Sequence, residues 1–297
     1  MNGKIVKFAK KILKPIRNSL YFKRVTDTEL IDAFQREKCE KYLAKRYKKL
    51  LQSPKKILEE TKPIKIIWIC WLQGIENAPE LVQSCFQSVE KYKNDYKIQL
   101  ITEKNLSDFV ALPDYILKKW KSGIISNTHF SDIVRACLLA DYGGVWVDST
   151  VLFLSNIPEN IANLPLFMFR NEHKLDKSIV SSNWLISCFK NHPMLVEMKE
   201  FLFAYWKKEH KIKNYFLFHI YFTLLSKKYC EFWNDVPFIS NINPHTLYFY
   251  DLFRQFDSQR FEDIKMLSFC QKLNYKQKLP PKIDGTFYDY LIKQKNF

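Results

Sequence analysis

Asp132, Arg135, Asp148 and Thr150 fall within one stretch, "HFSDIVRACLLADYGGVWVDST" (129–150). Asp132 and Arg135 are three residues apart in a run of helical spacing, so a carboxylate and a guanidinium share a helix face. Such a pair can be a local ion pair worth roughly 0.2–0.5 kcal/mol and nothing more. Asp148 follows Val145-Trp146-Val147, which has the composition of a strand, and so stands at that strand's carboxyl end. In open α/β sheets, ligands bind outside the carboxyl ends of strands. A carboxylate placed there can hold a divalent cation or a sugar hydroxyl, or can simply cap a turn.

These residues need a helix over about 129–142, a sharp reversal and a strand over about 144–148. Gly143-Gly144 supplies the reversal, because glycine tolerates the left-handed backbone that a helix C-cap requires. Upstream, "IKIIWICWLQG" (64–74) is a short apolar run closed by glycine, as in a strand buried on both faces. A helix from Pro79 follows, with Leu81, Val82, Cys85, Phe86 and Val89 on one side. "YKIQLIT" (96–102) then alternates as a second strand, and "PDYILKKWKSG" (113–123) reads as a short helix. The order β-α-β-α points to an α/β sheet with crossover helices. Beyond 150, "PLFMF" (165–169) and "NWLISCF" (183–189) predict strands, and Pro193–Trp206 and Lys211–Tyr229 predict helices. Residues 230–297 look irregular, with a closing helix over 286–294.

The chain has 297 residues, 47% of them hydrophobic and 16% aromatic, a globular composition. The apolar runs are too short for a transmembrane helix or the core of a signal peptide. Seven dispersed cysteines (39, 70, 85, 137, 188, 230, 270) form no CxxC and no short Cys/His spacing. They read as reduced, buried thiols in a cytosolic setting, with neither a zinc site nor a disulfide framework.

The net charge of +16 is unevenly spread: residues 1–24 hold eight Lys/Arg and no acid. Ile5, Phe8, Ile12, Ile16 and Leu20 recur among them at helical spacing, broken at Pro15. A basic amphipathic segment of this kind suits an anionic membrane surface, at about 1 kcal/mol per base. A solvated tail and a phosphate-binding arm are the alternatives. Thr26-Asp27-Thr28-Glu29 has capping-box spacing, predicting a long helix with Leu30, Ile31, Phe34, Tyr42, Leu43, Tyr47, Leu50 and Leu51 as its apolar stripe. The polar, proline-flanked "SPKKILEETKP" (53–63) marks a boundary. The expected organisation is a basic and helical extension over 1–60 followed by an α/β domain over 61–297.

The central stretch resembles the signature of DXD-type glycosyltransferases, glycosyltransferase family 32 and its relatives, and more narrowly their capsular polysaccharide synthesis branch. "IKIIWICWLQGIENAP" is similar to that branch's first strand and loop. "SSNWLISC", "NYFLFH" and "GTFYDYL" resemble its downstream blocks, so the likeness covers about 62–292. It implies a GT-A-like nucleotide-diphospho-sugar transferase fold that binds a nucleotide-sugar donor with Mn²⁺ or Mg²⁺ bridging the diphosphate. It further implies that Trp71 stacks on the nucleotide base. Asp132 and Arg135 would bind hydroxyls of the donor sugar, Asp148 would be the first aspartate of DXD, and Asn183 would approach the sugar or its phosphate. The third motif position is Thr150 rather than aspartate, as is often so in the capsular branch, and a hydroxyl is a neutral and weaker ligand for a hard cation. Asn214 stands where the branch often has aspartate. His219 in "YFLFHIYF" is either a third metal ligand or phosphate donor, or a hydrogen-bonded core histidine.

The function so implied is retaining transfer of a sugar, with UDP the expected carrier, onto a lipid-linked capsular or other surface polysaccharide intermediate. The place is the inner face of the cell membrane, in peripheral contact through residues 1–24. A non-catalytic sugar-nucleotide-binding scaffold of the same fold is the alternative. A nucleic-acid-binding protein is a third, but no RNP, GxxG or zinc-finger pattern supports it, and no nucleic-acid partner is expected.

Overall fold

The computed structural model describes residues 28–56, 58, 63–171 and 176–297. The basic segment 1–24 and the first two residues of the capping box lie outside them. In chain order the main elements are α1 (Thr28–Arg46), β1 (Ile66–Cys70), α2 (Glu80–Tyr92), β2 (Lys97–Ile101), α3 (Asp114–Lys121), α4 (Asn127–Asp141), β3 (Gly144–Val147), β4 (Val151–Phe153), β5 (Leu166–Arg170), β6 (Ser181–Cys188), α5 (Pro193–Lys208), α6 (Leu217–Lys228), α7 (Ser258–Leu267) and β7 (Cys270–Lys272). No helix among the described residues is long and apolar enough to cross a membrane.

Five strands form one sheet in the order β2-β1-β3-β6-β5. β1 pairs in parallel with β2 and β3, as the helices between them require, while β6 runs antiparallel to both β3 and β5. Only about ten residues separate β5 from β6, fewer than the dozen or more that a crossover to a parallel neighbour needs, which suits the antiparallel pairing. The class is α/β, preceded by the expected N-terminal helix.

Period-two alternation sorts the central strands between two cores. Ile67, Ile69, Val145 and Val147 pack with Val89, Phe153 and Phe269 on one face. Trp68 and Trp146 turn to the other, into a larger cluster built with α1, α4, α5 and α6. The same parity carries Asp148, two residues beyond Trp146, towards the α4 layer.

The reversal into β3 depends on both glycines. Gly143 and Gly144 have φ of 73° and 92°, a region costly for other residues. A Cβ at Gly143 would lie 2.4 Å from the Lys190 backbone nitrogen, and one at Gly144 would lie 2.7 Å from the Ile66 carbonyl oxygen. The Trp68 indole donates to the Gly143 carbonyl at 2.8 Å, so the turn is fastened to β1 as well as shaped.

The structure departs from the sequence-based expectations in several places. Along α1 the buried face runs through Ala33, Cys39, Leu43 and the following Tyr47, whereas Phe34 is 58% exposed. Phe34 lies one residue, about 100° of helix turn, from Ala33. α6 starts at Leu217 rather than 211, after Asn214 Oδ1 accepts the Phe216 amide at 2.9 Å in a turn that launches the helix. The C-terminal region expected to be irregular contains α7 and β7, and β7 pairs antiparallel with β4. The closing helix expected over 286–294 does form, over 287–293, with its last five residues, Asp289–Lys293, in a wider π-type turn. All seven cysteines are free, and Cys230 is exposed.

Candidate active site

α4 begins at an N-cap serine, Ser126, and its body is almost wholly buried. It delivers Asp132 and Arg135 against the carboxyl end of β3. Arg135 is only 3% exposed. Its Nη1 pairs with Asp132 Oδ1 and its Nη2 with Asp148 Oδ1, the latter at 2.7 Å. The guanidinium lies over the Trp146 ring, 4.7 Å from the centroid, and 5.6 Å from that of Phe218. Trp146 Nε1 donates to the same Asp148 oxygen at 2.8 Å. β6 adds Asn183, whose Nδ2 donates to Asp132 Oδ1 at 3.0 Å. Asp132, Arg135, Asp148 and Asn183, separate in sequence, thus form one hydrogen-bonded chain. Asp148 remains 26% exposed at its end, so it can reach a ligand. Burial pushes the Asp132 carboxyl above the ordinary range, opposed by Arg135.

Two residues at this rim escaped the sequence reading. Lys272, at the end of β7, donates from Nζ to Thr150 Oγ1 and lies 3.7 Å from Asp148 Oδ2. Burial pushes its ammonium below the ordinary lysine value, with Asp148 pulling it back up. Tyr275, three residues on, meets Trp71 edge to face at 5.5 Å. Nothing marks one lysine among 47 basic residues; only the β4–β7 pairing brings it to Thr150.

Trp71 directly follows β1, at the same sheet end as Asp148, and its buried Nε1 has no hydrogen-bond partner. Arg135 Nε and His219 Nδ1 are also buried without partners. Such orphans are uncommon in folded proteins and call for an explanation; three occur among the residues expected to meet the donor. His219 sits on α6 against Phe216 and Phe218. Burial, then the nearby charge of Arg135, push its pKa down to about 3, so the ring is neutral. The core-histidine alternative expected a hydrogen-bonded ring, and His219 Nδ1 has no partner. Cys70, at the end of β1, is pushed up to about 12 by burial and stays a thiol beside Arg135 and Asp148.

The donor set is a poor match for a hard divalent cation. Asp148 Oδ1 is taken by Arg135 and Trp146, its Oδ2 faces an ammonium, and the Thr150 hydroxyl accepts from that ammonium. No group of three or more His, Cys, Asp or Glu among the described residues could hold a metal ion. Cavities of about 440 Å³ and 540 Å³ share Tyr92 in their walls and include none of these residues. The site is therefore defined by strand ends and paired charges.

The family described as "Capsular polysaccharide synthesis protein" matches residues 20–291. The chain belongs to that family. Among solved structures, this capsular polysaccharide synthesis protein is similar to the PaToxG glycosyltransferase, at 14% identity and a TM-score of 0.42, over 82% of this chain and 100% of that one. It is also similar to a transferase carrying two cysteine-to-serine changes, at 12% identity and a TM-score of 0.33, over 76% and 97% of the two chains. No curated protein matches the chain.

Proposed function

We propose that this capsular polysaccharide synthesis protein is a glycosyltransferase that moves a sugar from a nucleotide-sugar donor, with UDP the favoured carrier, onto a lipid-linked glycan. The observation that carries the reading is the Asp132–Arg135–Asp148–Asn183 chain at the carboxyl ends of β1 and β3, where an α/β sheet receives its ligand. Asp132, Arg135 and Asn183 present a rigid set of donors and acceptors suited to sugar hydroxyls. Trp71 offers an aromatic face at the neighbouring strand end for the base.

Transfer breaks the bond between the anomeric carbon and the diphosphate, whose oxygen leaves with the electron pair. The acceptor hydroxyl oxygen forms the new bond to that carbon. In the retaining course we favour, it attacks from the leaving-group side and its proton passes to the departing phosphate oxygen. Charge stabilisation and positioning dominate such a step.

A thermal-shift screen of sugar nucleotides tests the donor. A true donor at a hundred times its Kd stabilises the native state by about 2.7 kcal/mol and raises Tm. Silence from every UDP-, GDP-, ADP- and CMP-linked sugar would remove the transferase reading.

Residues 1–24 fit a membrane-facing role because a lipid-linked acceptor lies at the bilayer and their charge attracts anionic lipid. Deleting them should shift the protein from anionic vesicles into solution in a flotation assay. Equal partition of both forms would discard that role.

A further inference from the structure

The third position of the D-x-T motif holds Thr150, and the fold sets a cation of its own beside it. β4 and β7 pair with Val151 opposite Lys272, and the Leu273 amide donates to the Thr150 carbonyl at 2.9 Å. This fixes the strand carrying Lys272 against the motif. Lys272 Nζ then reaches Thr150 Oγ1 and stands 3.7 Å from Asp148 Oδ2. Asp148 Oδ1 is engaged by Arg135 at 2.7 Å and Trp146 at 2.8 Å. A divalent ion ligated by the remaining oxygen of Asp148 would share that oxygen with the ammonium. Like charges at such separations repel, more strongly in a half-buried site than in water. With a hydroxyl instead of a second carboxylate, the motif also lacks the charge to hold both cations.

We propose that Lys272 occupies the place of the divalent cation: its ammonium neutralises the donor's diphosphate, and the protein binds its donor without metal. The inference rests on the transferase reading and assigns that site its electrostatic partner. Lys272 transfers no proton in the step. It offers N–H donors to the phosphate oxygens as negative charge gathers on them, while bond making, bond breaking and the acceptor proton follow the course given above. A point charge on a flexible stem suits a leaving group that must later depart. Thr150 and Asp148 become the groups that aim the ammonium, which explains a threonine where a metal site would favour aspartate.

Calorimetric titration of the full chain with UDP, GDP, ADP and CDP, in EDTA and again in Mn²⁺, tests the inference. For the nucleotide that binds, the wild type should bind in EDTA with a Kd within about threefold of its Kd in Mn²⁺. Lys272→Met should weaken binding in EDTA about tenfold or more, the value of a lost charge-assisted hydrogen bond, whereas Lys272→Arg should stay close to wild type. Titration of Lys272→Met with the matching nucleoside, which has no phosphate, should give the wild-type Kd and so separate loss of charge from loss of fold. Binding by the wild type only in Mn²⁺ overturns the inference and leaves the transferase reading standing. So does undiminished diphosphate binding by Lys272→Met. Failure of all four nucleotides under both conditions overturns the transferase reading and this inference together.

Discussion

Asp148→Asn should lower kcat/KM for sugar transfer about a hundredfold or more, the usual scale for losing one preorganised charge or donor at the reacting centre. Asparagine keeps the size of the side chain and an oxygen that can accept from Trp146 Nε1. What it removes is the negative charge that holds Arg135 Nη2 at 2.7 Å and draws Lys272 to 3.7 Å. Arg135 retains its pairing with Asp132, so the buried guanidinium is not left alone. Tm should consequently move far less than activity. Donor turnover, followed as release of the nucleoside diphosphate, and a melting curve on the same preparation check both halves. Equal turnover by wild type and Asp148→Asn would sink the catalytic role of this carboxylate. It would favour the alternative in which the fold binds a sugar nucleotide without acting on it.

What could be read from the sequence follows from the range of the interactions that encode it. The helix–glycine–strand unit over 127–148 was legible because each part is local: apolar spacing for α4, positive φ at Gly143 and Gly144, and alternation along β3. The pairing of Asp132 with Arg135 was legible as an i, i+3 relation. Parity along β3 could have shown that Asp148 faces the α4 layer with Trp146. Asn183 was assigned only through family resemblance, since its place beside Asp132 depends on the antiparallel register of β6 against β3. Lys272 and Tyr275 were out of reach. β4 and β7 are three residues each, too short for periodicity to show, and their pairing joins positions about 120 residues apart. The antiparallel direction of β5 and β6 was hidden for another reason: both are buried on both faces and so read like parallel strands.

Arg135→Met should produce the largest loss of stability, about 3–5 kcal/mol, the range seen when one partner of a buried ion pair is deleted. Methionine matches the apolar stem that lies against Trp146 and Phe218, so packing changes little. Asp132, 8% exposed, would keep Asn183 as a neutral donor but lose its cation, and its carboxylate would sit desolvated. Urea unfolding at pH 7 measures the deficit directly as a fall in midpoint. The pH dependence then separates a charge effect from a packing effect. Burial already raises the folded-state pKa of Asp132, against the pull of Arg135; removing Arg135 raises it further. Between the unfolded value near 4 and that higher folded value, the native state binds more protons than the unfolded one, so stability falls as pH rises. The deficit of Arg135→Met relative to wild type should therefore shrink on acidification through this window. Adding Asp132→Asn should recover part of it at pH 7, with a coupling of about 0.5–3 kcal/mol between the two positions. A deficit that is constant with pH and additive with Asp132→Asn would mean that Arg135 acts by filling space. In that case the chain from Asp132 to Asp148 would no longer be an electrostatic unit able to hold a donor.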